Sequence, residues 1–141
     1  AGAAGAVTRG NIEALKGSAE GFLTAADYSA DVDSPESKRF VEAFKKKFNN
    51  TTPDLFAANS YSLFYLLDKA AAKAGKWETA AMREAMRGME WDTPSGKRRM
   101  RAEDNQTALD MFVIKVKGTD FPIIAKVSAK DIEIPDACSR F

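Results

Sequence analysis

The sequence has no histidine and a single cysteine, Cys138, among its 141 residues. Without histidine, the commonest general base and the commonest zinc ligand are gone. The Ser/His and Cys/His nucleophilic arrangements go with them. One cysteine cannot close an internal disulfide, so Cys138 is either a free thiol or half of a bridge to another chain. An excess of charge of one sign is also missing. Lys and Arg total 21 against 20 Asp and Glu, a net charge of +1, so no strong field recruits nucleic acid or an anionic membrane. No apolar run approaches the roughly 20 residues of a membrane-spanning helix. Phosphate-cradling glycine patterns are absent. Asp27, Asp31 and Asp33 lack the glycine and terminal glutamate of a calcium loop. Glu103 and Asp104 are adjacent in a turn, and nothing nominates a catalytic carboxylate pair. No catalytic residue, metal or cofactor is therefore expected, and the chain reads as a protein without enzymatic activity.

What is present fits a folded α/β or α+β protein. Apolar residues make up 45% and charged residues 29%, too apolar for a disordered chain. The longest helical signal without a breaker is Asp54–Gly75, with Pro53 before it and Gly75 at its end. Phe56, Leu63, Phe64, Leu66, Leu67 and Ala70 to Ala72 wrap most of its circumference, the pattern of a helix buried between other elements. Its first turn is expected to carry Asn59, Ser60 and Tyr61 in a row. Such residues either cap the helix or, with the free N–H groups of a first turn, form the polar end of a ligand site.

Along the chain, Ala1–Ala6 (AGAAGA) has no Met, charged leader region or apolar leader core, so the chain is expected to start within something larger. Asn11 is expected to cap a short helix, Ile12 to Lys16, ended by Gly17. Gly21 to Ala26 reads as a buried strand and 27–34 as a loop. Asp33-Ser34-Pro35-Glu36 starts a helix bearing Phe40, Val41, Phe44 and Phe48 on one face. Lys45 to Lys47 at its end suit the helix dipole, and Asn49-Asn50 stop it. A third helix is expected over Glu78–Arg87, stopped by Gly88. Met89 to Trp91 is short and extended, and 92–96 is a turn. Lys97 to Arg101 reads as an exposed edge strand whose charges prevent pairing with other chains, with anion binding the alternative. Asp104 to Gln106 is a polar turn. Leu109–Val116 and Pro122–Val127 form a hairpin around Gly118, and 128–141 is an irregular tail. One strand followed by three helices cannot cover their apolar faces, so a sheet supplied from elsewhere is expected.

Four stretches taken in order carry a family resemblance: AEGFLTAADY (Ala19–Tyr28), SPESKRFVEAFKKKF (Ser34–Phe48), PDLFAANSYSLFYLLDKAAAKAG (Pro53–Gly75) and REAMRGMEWDTPSGKRRMRAEDNQ (Arg83–Gln106). The sequence resembles the C-terminal portion of type I periplasmic solute-binding proteins, the receptors of ABC importers related to the leucine/isoleucine/valine-binding protein. The resemblance implies two α/β lobes around a cleft. Residues 1–30 would end the second lobe and make a hinge crossing through Asp27–Asp33. Residues 31–90 would give helices to the first lobe, and 91–141 the closing strands, hairpin and tail. It implies a receptor in the periplasm, or lipid-anchored outside the cytoplasm, made with a signal peptide. The partners implied are a small solute, a membrane permease, and the missing N-terminal part or a second copy. The ligand-binding residues implied are Asn59, Ser60 and Tyr61 on the helix and Ala4 in the loop 1–8. Amino-acid binders of the family often place an acid in that loop. AGAAGAVT has none, which favours an amide, a urea-like solute or an aromatic or aliphatic carboxylic acid. A ligand-sensing regulatory module on the same fold is the alternative.

Overall fold

The computed structural model describes residues 1–134, so Cys138 and the end of the tail lie outside the described residues. Among the described residues, six strands fall into two separate three-stranded antiparallel sheets. One sheet has the order β1 (Leu23–Ala26), β5 (Met111–Lys115), β6 (Ile123–Val127). The other runs β2 (Glu90–Thr93), β3 (Gly96–Met100), β4 (Thr107–Ala108). Between β1 and β2 the chain forms α1 (Pro35–Lys47), α2 (Leu55–Ala74) and α3 (Thr79–Met86).

Each helix starts where local chemistry allows it. Ser34 accepts from the Ser37 N–H at 3.0 Å, with Pro35 preset in the first turn. Asp54 accepts from the Ala57 N–H at 3.0 Å, and Gly75 ends α2 in the left-handed region at φ +70°. Asn49 and Asn50 turn the chain after α1, both with positive φ.

The sheet β1-β5-β6 carries the largest core. Ala26, Phe112, Ile114 and Val116 meet Val7, Ile12 and Ala19 from the N-terminal segment, with Phe121 from the hairpin loop. The second core joins Tyr28, Phe40 and Ala58, the Phe40 ring lying 6.0 Å from Tyr28 and 4.7 Å from Tyr61. The third packs Ala70 and Ala71 of α2 on Met82 of α3, where small side chains let the two helices approach.

Four sequence expectations change. Asn11 does not cap a helix: its side chain accepts from Thr8 N–H at 2.8 Å and donates to the Ala6 carbonyl at 3.1 Å, bracing a loop. Only a single 3-10 turn, Glu13–Leu15, follows it. Helix α2 is buried on one face only. Ala58, Ser62, Leu66 and Ala70 repeat every four residues on that face, while Phe56, Leu63 and Phe64 are 57%, 51% and 70% exposed. Two thin sheets leave nothing to cover the second stripe. Strand β3 is not an edge strand: it is the centre of its sheet, and Arg98 and Arg101 are buried because carboxylates receive them. Finally, the stretch after β6 is not wholly irregular, since Ser128 caps a one-turn helix, α4 (Ala129–Ile132).

Candidate functional site

The N-terminal loop is fixed at both ends. Gly2 N–H donates to the Leu23 carbonyl at 3.0 Å, and the Thr24 hydroxyl lies 3.1 Å from both the Gly2 and Ala3 carbonyls. Asn11 braces the other end. Between these anchors the backbone turns at Gly5, φ +82°, and comes against the ring of Phe56 in the first turn of α2. Ala4 is exposed on the rim so formed. Loop and helix start thus share one edge, the convergence expected of a ligand cleft.

Behind that edge lies a cavity of about 30 Å³, the room of a single water, bordered by Thr8, Arg9, Tyr28, Ser29, Asp54 and Leu55 among others. Tyr28 closes β1 into this region. Its hydroxyl is buried without a hydrogen bond of ordinary geometry, as is that of Ser37. Burial pushes the Tyr28 phenol up to about 12, against the opposing pull of the Ser37 hydroxyl and the Arg9 charge. Arg9 stacks its guanidinium over the Phe121 ring at 5.2 Å and reaches the Thr119 carbonyl at 3.4 Å. Among the described residues it makes no ion pair. The Asp54 carboxylate, by contrast, is engaged by the helix it caps.

Asn59, Ser60 and Tyr61 do not converge. Helix α2 begins at Leu55, so the three occupy its second turn, and the free N–H groups of the helix start belong to earlier residues. At 3.6 residues per turn, three consecutive side chains fan across more than half the circumference. Asn59 is half-buried with its amide oxygen unpartnered, and Ser60 is exposed. Tyr61 turns the other way, over Phe40 of α1. There it borders a groove of about 440 Å³ with Glu36, Arg39, Tyr65, Lys69 and Asp92. Its hydroxyl lies 3.0 Å from that of Tyr65, and this hydrogen bond, helped by burial, pushes the Tyr61 phenol up to about 12.

Arg9, Tyr28 and Phe56 border this edge without being expected there, whereas Gly5 lies in the loop 1–8 that the resemblance put beside the ligand. Phe56 was absorbed into the apolar wrap of α2. Tyr28 carried a signal, being one aromatic in a stretch of turn formers. Arg9 carried none.

Residues 1–120 match the family described as Periplasmic binding protein. The Leu/Ile/Val-binding protein homolog 6 of Brucella abortus is 30% identical over 114 residues, covering 78% of this chain. The chain spans 29% of that relative's length. Among solved structures, an ABC-type branched-chain amino acid transporter protein from Rhodopseudomonas palustris superposes with a TM-score of 0.75 at 30% identity, covering 93% of this chain and 36% of that one. A second R. palustris protein is an ABC-transporter solute-binding protein in complex with 3,4-dihydroxybenzoic acid. It gives a TM-score of 0.76 at 29% identity, covering 89% of this chain and 36% of that one.

Proposed function

The chain belongs to the periplasmic binding protein family, and from that premise we propose that it serves in a periplasmic solute receptor that delivers a small molecule to an ABC importer's permease. In this reading the two sheets lie in different lobes. The sheet β1-β5-β6 and the loop 1–8 belong to one, and α1–α3 with β2–β4 to the other. The crossing 27–34 is a hinge, and closing it buries the solute.

The observation that supports this reading is the meeting of Gly5 with Phe56: the loop assigned here to one lobe comes against the helix start assigned to the other. The side chains around that edge favour a carboxylate without an ammonium group. Loop 1–8 has no acid. Arg9 is the nearby cation, and Phe56 offers an exposed ring. One relative of this fold binds a dihydroxybenzoic acid, which agrees in chemistry. Ala4 would border the solute through its backbone and Asn59 through its unpartnered amide oxygen. Ser60 and Tyr61 would shape the walls.

A thermal-shift panel on the full-length parent protein tests this: leucine, isoleucine and valine; urea and benzamide; benzoate, 3,4-dihydroxybenzoate and short aliphatic acids. A carboxylate without an ammonium group is expected to stabilise it, with a Kd on the order of micromolar, about −8 kcal/mol. A response to the branched-chain amino acids alone overturns the ligand class. Silence across the whole panel overturns the receptor reading.

A further inference from the structure

The cationic run of β3 is not used by the solute site, yet its arginines are spent on one task. Among the described residues the chain passes between the two sheets three times: over 27–34, over 109–110, and over 128–134, where it returns from β6 to lie against β3. Arg98 reaches the first passage. Its Nη2 donates to Asp27 Oδ2 at 3.0 Å and to the Ser95 hydroxyl at 3.2 Å, and the arginine is 7% exposed. Arg99 reaches the third passage, its Nη2 donating to both oxygens of Glu133 at 2.8 and 3.1 Å. Arg101 hydrogen-bonds the Ile134 carbonyl in that same passage. It also pairs with Asp104 at 3.1 Å, holding the turn that leads through β4 to the second passage. The second and third passages are joined in turn by Asp110, which accepts from Ala129 N–H at 3.0 Å.

Alternation along a strand explains how one strand does this. Arg98 leaves one face of β3 and Arg99 the other, so passages on both sides of the sheet are within reach. A guanidinium presents its donors in a rigid fork, and a carboxylate or carbonyl held by it is fixed in direction as well as distance.

We propose that Arg98 and Arg99 of β3 and Arg101 just after it are hinge-positioning residues: from one short stretch they fix the ends of the passages between the two lobes and so set how far and about which points the lobes turn. The role in solute capture rests on the two-lobe receptor reading above. The anchoring itself does not. With Asp27, Glu133 and Ile134 held to the sheet of β3, rotation is confined to the junction of Ala26 with Asp27 and to residues 109–110 and 128–132. Loosening an anchor lets the open form sample more orientations and weakens capture without any contact to the solute.

The test uses the full-length parent without any solute, so it is independent of the ligand panel. Amide hydrogen exchange followed by mass spectrometry reads each passage separately. Arg98→Gln is expected to speed exchange across 27–34 by at least about tenfold. It should leave β6 and the second half of α2 at wild-type rates. Glu133→Gln is expected to do the same across 128–134. The exchanged pair Asp27→Arg with Arg98→Asp should recover most of the protection lost in 27–34. Unchanged exchange in the passages overturns the proposal, and so does an equal rise in every segment, which marks general destabilisation. Should Arg98→Gln fail to fold, Glu133→Gln, at the half-exposed end of the network, decides by the same two outcomes.

Discussion

Gly5 faces the ring of Phe56 so closely that a Cβ added to it would stand 3.3 Å from the ring's Cζ, on a backbone at φ +82°. The two residues are far apart in sequence and come from different parts of the fold, so their contact fixes the loop against α2. Gly5→Ala would force an alanine into the left-handed region and push on the ring. The expected loss is about 1–2 kcal/mol in urea unfolding of the parent protein. Wild-type stability for this variant would mean that the loop moves away freely and does not define an edge.

The helix starts make an independent prediction. Ser34 and Asp54 each satisfy one amide of a helix start. Ser34→Ala and Asp54→Ala should each cost about 1 kcal/mol of unfolding free energy, while Asp54→Asn should cost little because asparagine caps nearly as well. Equal losses for Asp54→Ala and Asp54→Asn would show that the charge, not the cap, matters.

Tyr28 predicts an alkaline signature. Its folded pKa is pushed up to about 12 from the ordinary 10.0. Between those values the unfolded chain has released the proton and the folded chain still holds it. Stability contributed by the neutral phenol is therefore complete below pH 10 and is lost as the pH rises towards 12, at up to about 1.4 kcal/mol per pH unit. Tyr28→Phe should remove that part of the slope. At neutral pH it should be neutral or slightly stabilising, because it deletes a buried hydroxyl that makes no hydrogen bond of ordinary geometry. Urea midpoints of both proteins across this pH range give the difference. Parallel curves would count against a buried Tyr28 hydroxyl.

The exposed stripe of α2 predicts association. Phe56, Leu63 and Phe64 form an apolar row that neither sheet covers, and Trp77 adds another exposed ring at 73%. Produced by itself, the 141-residue chain is expected to elute from size exclusion as more than a monomer. Leu63→Ser with Phe64→Ser should shift it towards the monomer. A compact monomer before any substitution would show that the stripe is tolerated in water.

Helix positions were legible because their signals are local. Ser34-Pro35, Asp54 and Gly75 act on their own backbones, and all three mark ends that the structure retains. The hairpin around Gly118 was legible for the same reason. The site was much less so. Asn59, Ser60 and Tyr61 looked like a cluster because they are adjacent in sequence, but a helix sends adjacent residues to different sides. Arg98 looked exposed because a charge declares its polarity and not its partner. Asp27, 71 residues away, decides its place.

By itself, then, the sequence determined the elements and the chemistry excluded: caps, turns and apolar periods act over a few residues, and an absent histidine is absent in any fold. Tertiary structure alone decided that β3 sits inside its sheet, that α2 buries one stripe and bares the other, and that Gly5 meets Phe56. Each of these depends on which distant segment arrives to satisfy a charge, cover a face or fill the space a missing Cβ leaves. No local pattern encodes that arrival.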